Sequence, residues 1–179
     1  MPLRTIHLLG SPVLRQRADE VPEVTDEILA LVADLFDTMY AAEGIGLAAN
    51  QVGVTQRVAV VDVEDHPRMV LINPVIVEQE GKTRSEEGCL SIPDLFGDVD
   101  RAELIVVETT LLDGTRQRNE LKNFPARAVQ HEIDHMDGVL FLDHLGVLKR
   151  RMLLKKWKKL RKGTTGYLKE ASPASASGP

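Results

Sequence analysis

The segment His131-Glu132-Ile133-Asp134-His135 sets two imidazoles four residues apart, with a carboxylate directly after the first. On a helix that advances about 100° per residue, the two histidines stand about 40° apart in projection, one turn above the other, so both can reach one ion. With Val129 at zero, Ile133 falls near about 40° and Met136 near about -20°, whereas the histidines fall near about 200° and 240°. An apolar stripe therefore faces a core, and the histidines face away from it. Glu132, at about 300°, flanks them and can reach a water without itself being a ligand. A pattern with only three fixed positions also fits an ordinary polar helix face.

Cys89, the only cysteine, lies in Glu87-Gly88-Cys89-Leu90-Ser91, behind a glycine that permits close backbone approach. One thiol cannot form an internal disulfide, and taken alone it reads equally as a small buried residue. Added to the two histidines it completes a nitrogen, nitrogen and sulfur set with a fourth position left for water, which suits catalysis better than a closed structural site. The other histidines, His7, His66 and His144, stand outside any such motif. A third segment, Gly44 to Gln51 (Gly-Ile-Gly-Leu-Ala-Ala-Asn-Gln), has glycines that let backbone pass close to a ligand and an amide donor at its end. It lacks the third glycine of a dinucleotide fingerprint and the Gly-Lys-Ser/Thr ending of a phosphate loop.

These residues need elements to hold them. Thr25 followed by Asp26 and Glu27 marks a helix start, and Ile28, Leu31, Val32, Leu35, Phe36 and Met39 recur at helical spacing up to an end near Gly44. The stretches 57–63, 69–79 and 103–111 are rich in Val and Ile and predict strands, with Gly81 and Asp113-Gly114 as turns. A second helix is predicted from Pro125 to about Asp137, ahead of Gly138, and carries the histidines. A third covers a basic stretch, with Leu153, Trp157 and Leu160 as its apolar stripe. Helix, strands, then two helices, without regular alternation, predict an α+β fold with mainly antiparallel sheets packed around a central metal-binding helix.

The chain has 179 residues, 43% of them hydrophobic, enough for one core. We expect one catalytic domain over 1–162 and a flexible Ala/Ser/Pro-rich tail over 163–179. No secretory or membrane-spanning apolar run is present, which predicts a soluble cytoplasmic protein. The formal charge of -5 hides an asymmetry: Lys149, Arg150, Arg151, Lys155, Lys156, Lys158, Lys159, Arg161 and Lys162 form a run without an acid, and the rest of the chain is more acidic still. Such a run serves either as a solvated helix face or as a contact for a phosphate backbone.

Together, in this order, Gly44–Gln51, Glu87–Ser91 and Gln130–His135 closely resemble the peptide deformylase family motifs Gly-x-Gly-Leu-Ala-Ala-x-Gln, Glu-Gly-Cys-Leu-Ser and Gln-His-Glu-x-x-His, over roughly residues 3 to 162. The resemblance implies a hydrolase that removes the formyl group from the N-terminal methionine of new polypeptides. It implies that Cys89, His131 and His135 bind one metal ion, typically Fe(2+), which Zn(2+), Ni(2+) or Co(2+) can replace. Glu132 would be the general acid/base, with Gln51 and the Leu90 N–H stabilising the oxyanion. Ile45, Glu87, Gly88, Phe124, Arg127 and Ala128 would line the methionine pocket, and Gly44-Ile45-Gly46 would pair with the peptide as an added strand. The implied partners are formyl-methionyl nascent peptides and, through the basic C-terminal helix, the ribosome. Two positions depart from the family pattern. Arg127 stands where many members have an aliphatic residue, so that only its stem could line an apolar wall, and Phe96 stands in a stretch where some relatives carry a peptide-binding arginine. Two other classes fit part of this pattern: a zinc peptidase, which would generally use His or Glu rather than Cys as third ligand, and a metal-stabilised module whose basic helix contacts nucleic acid.

Overall fold

A computed structural model describes residues 3–171, with strands β1 (Thr5–His7), β2 (Gly46–Ala48), β3 (Val58–Val61), β4 (Met69–Ile72), β5 (Val75–Glu80), β6 (Thr83–Cys89), β7 (Ile92–Arg101), β8 (Leu104–Thr110), β9 (Arg116–Lys122) and β10 (Leu168–Glu170), and helices α1 (Asp26–Ala41), α2 (Asn123–Met136) and α3 (Val147–Leu160). The sheets run in the orders β2-β3-β4, β5-β8-β9, β6-β7 and β1-β10. Every pairing between these strands is antiparallel, as the α+β reading requires. Among the described residues no helix is long and apolar enough to cross a membrane.

The helix α1 begins where the capping signal lies, with Thr25 Oγ1 accepting from the Ile28 N–H at 3.4 Å, and the six periodic apolar residues are all buried against β2 and β3. Behind it α2 buries Val129, Ile133 and Met136 against β3, β4 and the β8–β9 pair. It begins two residues before Pro125, with Asn123 at φ 58° turning the chain out of β9. Asparagine tolerates that left-handed backbone better than most residues. The predicted strand over 69–79 is two strands, because Asn73, at φ 48°, sits before Pro74 and its side-chain amide bonds both backbone groups of Val21, at 2.8 and 2.7 Å.

The third helix seats Leu153 and Trp157 on β7 and on Leu140, Phe141 and Leu142, but Leu160 is half exposed and does not complete the stripe. The expected boundary at 162 also moves. Arg161 lies over the Trp157 ring at 5.4 Å and over the Tyr167 ring at 5.6 Å. The chain then returns as β10, which pairs Thr5 with Glu170 and His7 with Leu168. Residues 163–171 thus belong to the body, and the remainder of the expected tail lies outside the described residues.

Candidate active site

Four elements converge on one cavity of about 330 Å³. The helix α2 brings His131 and His135, the tip of the β6–β7 hairpin brings Cys89, the segment from Gly44 through β2 forms one wall, and the 3-10 turn after β2 carries Gln51. His131 Nε2 and His135 Nε2 stand 3.2 Å apart, Cys89 Sγ is 3.4 Å from His135 Nε2, and the three ligand atoms all lie within 4.8 Å of one another. Two nitrogens and a sulfur at this separation fit one divalent ion with a position left open.

The second nitrogen of His131 is already engaged. Its Nδ1 lies 2.9 Å from Glu87 Oε1, and this fixes the ring so that Nε2 faces the other ligands. Glu87 is itself held by Arg101, whose Nε and Nη2 donate to its two oxygens at 2.8 and 2.9 Å, and by Arg127 Nη1 at 2.7 Å. Burial works against its charge, but Arg101 and His131 outweigh it and hold the carboxyl well below the usual range. Burial pushes the pKa of His135 well below that of an ordinary imidazole, toward the neutral form that ligates metals.

Glu132 occupies the space that a side chain at position 46 would take. Its carboxyl lies against the Gly46 α-carbon, which explains why glycine is needed there without any positive φ. Burial raises its pKa to about 7. Its Oε2 is buried with no hydrogen-bond partner, and so is His135 Nδ1. A buried acceptor left free beside three convergent ligand atoms is what a site for a reacting water requires.

Gln51 is held at both ends. Its Oε1 accepts from the Ala48 N–H at 3.0 Å, and its Nε2 donates to Ser91 Oγ at 3.0 Å while standing 3.6 Å from Cys89 Sγ. Leu90 lies in the two-residue turn between β6 and β7 and belongs to neither strand. The hairpin register shifts between Glu87 and Cys89, leaving extra residues on β7 opposite Gly88. That bulge brings Phe96 over Gly88, where a β-carbon would stand 2.7 Å from its ring. Ile45, Phe96 and Phe124 stand about half exposed around the cavity, and Ala128 closes the wall.

The residues singled out for the site all line this cavity except His135, which is buried behind it with its Nε2 against His131 and Cys89, and two of the lining residues differ in what they offer it. The charged ends of Glu87 and Arg127 point inward to each other and not toward the cavity, so neither presents a free polar group there. Sequence reasoning passed over Arg101, Asp134 and Ser91. Arg101 had no local signal, and only the need of a buried carboxylate for cations points to it. Asp134 occupies an unspecified position of the histidine motif, and its Oδ2 accepts from Arg101 at 2.6 Å.

The family model for polypeptide deformylase matches residues 3–151. The peptide deformylase of Endomicrobium trichonymphae is 46% identical over 155 residues, covering 86% of this chain and 92% of its own. The crystal structure of a peptide deformylase from Legionella pneumophila superposes with a TM-score of 0.84 at 40% identity, covering 89% of this chain and 96% of that one. A peptide deformylase from Ehrlichia chaffeensis in complex with actinonin superposes with a TM-score of 0.87 at 36% identity, covering 92% and 100%.

Proposed function

This chain is a member of the peptide deformylase family, metal-dependent hydrolases that remove the formyl group from the N-terminal methionine of new polypeptides, and we propose that in it Cys89, His131 and His135 hold the metal while Glu132 moves the proton. The observation that carries this reading is the convergence of the three ligand atoms beside a buried carboxylate oxygen with no partner. When bound, a divalent ion supplies Lewis acidity that lowers the pKa of water from about 15.7 toward about 7. The ion proposed is Fe(2+), the one typical of the family, and Zn(2+), Ni(2+) or Co(2+) can replace it, since a thiolate and two imidazoles accept all of these.

Glu132 takes a proton from the attacking water and returns one to the departing amine nitrogen, a role worth about 10² to 10⁴ in rate. Gln51 Nε2 and the Leu90 N–H donate to the oxygen that gains charge at the formyl carbon, each worth about 10² to 10³. The carbon–nitrogen bond breaks, and formate and a free amine leave. Ile45, Phe124, Ala128, the backbone at Gly88 and the stem of Arg127 form the wall for the methionine side chain. β2 is an edge strand of its sheet, so the backbone from Gly44 to Gly46 has a free side for an extended peptide.

Formate release from formyl-Met-Ala-Ser by anaerobically purified protein, with metal analysis of the same sample, tests the reading. Turnover with one ion per chain is expected, and a metal-replete protein without turnover would overturn it. Actinonin, bound in the Ehrlichia chaffeensis structure, is a second probe of the cavity, expected to inhibit competitively.

The location proposed is the cytoplasm, where formylated nascent chains arise, with ribosome contact through α3. Lys149, Arg151, Lys155, Lys156, Lys158 and Lys159 are all exposed on this helix. Because Leu153 and Trp157 belong to the core, deleting α3 would disturb the body, and charge reversal at Lys155, Lys156, Lys158 and Lys159 is the cleaner perturbation. Weaker, less salt-dependent cosedimentation with ribosomes and unchanged turnover of a short peptide are expected. Unchanged cosedimentation would refute the contact.

A further inference from the structure

Arg127 uses both terminal nitrogens of its guanidinium inside the protein. Nη1 donates to Glu87 Oε2 at 2.7 Å and to the Val99 carbonyl at 2.9 Å, while Nη2 donates to the Thr83 carbonyl at 2.9 Å and to Thr83 Oγ1 at 3.0 Å. Thr83 and Glu87 lie on β6 and Val99 on β7, whereas Arg127 lies on α2, one turn before His131. One side chain therefore fastens the helix that carries both histidines to the hairpin whose tip carries the thiol.

Charge makes the same point. Arg101 serves two carboxylates, binding both oxygens of Glu87 and turning Nη1 to Asp134 Oδ2. The side chains of Arg101, Glu87 and Arg127 are only 4–6% exposed. Without Arg127, the buried Glu87 carboxylate would have Arg101 as its only arginine, and Arg101 is shared with Asp134, whose side chain is 23% exposed and also meets His144 Nε2 at 2.8 Å. A buried charge with less compensation moves or is neutralised. With Arg127, two arginines hold the Glu87 carboxylate, and its Oε1 stays on His131 Nδ1.

We infer that Arg127 is a positioning residue for the metal centre: it fixes the Glu87 carboxylate, which in turn orients His131, and it sets the helix that bears the histidines against the hairpin that bears Cys89. The inference rests on the ligand set proposed above. It gives a residue whose stem lines the substrate cavity a second role, the support of metal binding by its guanidinium.

The test compares the wild-type protein with Arg127→Met, Arg127→Lys, Glu87→Gln, the double variant Glu87→Gln/Arg127→Met, and Cys89→Ala. The readouts are Co(2+) affinity by chelator competition, the visible absorption spectrum of the Co(2+) form, and kcat and KM for formyl-Met-Ala-Ser at saturating metal. Arg127→Met should weaken Co(2+) binding by about 10- to 100-fold and change the spectrum, as loss of partners behind a ligand does. Arg127→Lys should recover part of this, since it restores charge without the planar fork. In the Glu87→Gln background the methionine substitution should add little, because the two act through one carboxylate. Wild-type affinity and spectrum in Arg127→Met would overturn the inference, as would a rise in KM alone, which would make the residue a pocket wall. Should Arg127→Met fail to fold, Thr83→Val removes one of the four hydrogen bonds, and unchanged Co(2+) affinity there would count equally against it. Metal retained by Cys89→Ala would instead refute the ligand set, whereas metal lost from Cys89→Ala and kept by Arg127→Met would refute only the role of Arg127.

Discussion

Gly46→Ala adds one methyl group at the point where Glu132 meets β2. A β-carbon there would overlap Glu132 Oε1 outright and would stand 2.9 Å from its Cδ and 3.2 Å from its Cγ. Neither side can yield without cost to the site. Gly46 is paired to Val61 in its sheet, and Glu132 is 4% exposed on a helix seated by Val129 and Ile133. The carboxyl must therefore turn, and by about an ångström to regain ordinary contact. Misplacement on that scale costs on the order of 10² in rate, or about 2.7 kcal/mol of barrier. If the proton acceptor is lost altogether, the cost rises toward about 10⁴. We expect kcat/KM for formyl-Met-Ala-Ser to fall by about 10² to 10³, between those limits, with metal content unchanged because the three atoms nearest a β-carbon at position 46 all belong to Glu132. Gly146→Ala is the matched control, since a β-carbon there meets nothing within 4 Å and needs no left-handed backbone. Formate release with metal analysis of each variant decides the matter. A metal-replete Gly46→Ala protein that turns over like wild type would show that Glu132 does not act from the place against Gly46.

Glu132→Gln should keep the metal and lose about 10² to 10⁴ in kcat, because the amide preserves shape and removes the proton acceptor; undiminished turnover would dismiss that role. Thr109→Val should destabilise the protein by about 2–4 kcal/mol in urea denaturation, since it strands two backbone groups at little change in volume. Thr109 Oγ1 takes the Ile72 N–H at 2.9 Å and donates to its carbonyl at 3.1 Å, tying β4 to β8, so a loss indistinguishable from zero would mean that these groups find other partners. The iron form should lose activity in air faster than the zinc or nickel form, because only iron has accessible redox chemistry beside a thiolate that can itself be oxidised; equal half-lives would argue against iron as the working ion.

The parts legible in the sequence are those where one residue type repeats with the period of its element. The buried face of α1 could be read from six apolar residues at helical spacing, and the histidines of α2 from the same geometry turned the other way. The hairpin of β6 and β7 and the strand β9 could not be read in this way. In Thr83–Cys89 only Glu87 is fully buried, and in Arg116–Lys122 only Leu121, so neither strand has an apolar face to alternate. Their pairing is fixed by backbone hydrogen bonds to β7 and β8, which composition does not reveal. The same limit applies within the site. Cys89, His131 and His135 have donor atoms that suggest a metal, whereas the service of Arg101 and Arg127 to Glu87 depends on which charges fold together. Leu160 shows the opposite error, an apolar residue at the right spacing that its helix leaves half exposed.

The pairing of β1 with β10 joins nearly the first and nearly the last described residues of the chain. The entropic cost of closing so long a loop grows only with the logarithm of its length, so at equilibrium this contact is little dearer than a closer one. Kinetically it is the least local strand pairing among the described residues, and such contacts form late. During synthesis from the N-terminus, β1 emerges first and must wait unpaired until β10 has been made. The hairpins β6–β7 and β8–β9, whose strands are neighbours in sequence, can form meanwhile. Amide exchange during refolding should therefore show protection at Thr5–His7 arriving together with that at Leu168–Glu170, and after protection of both hairpins.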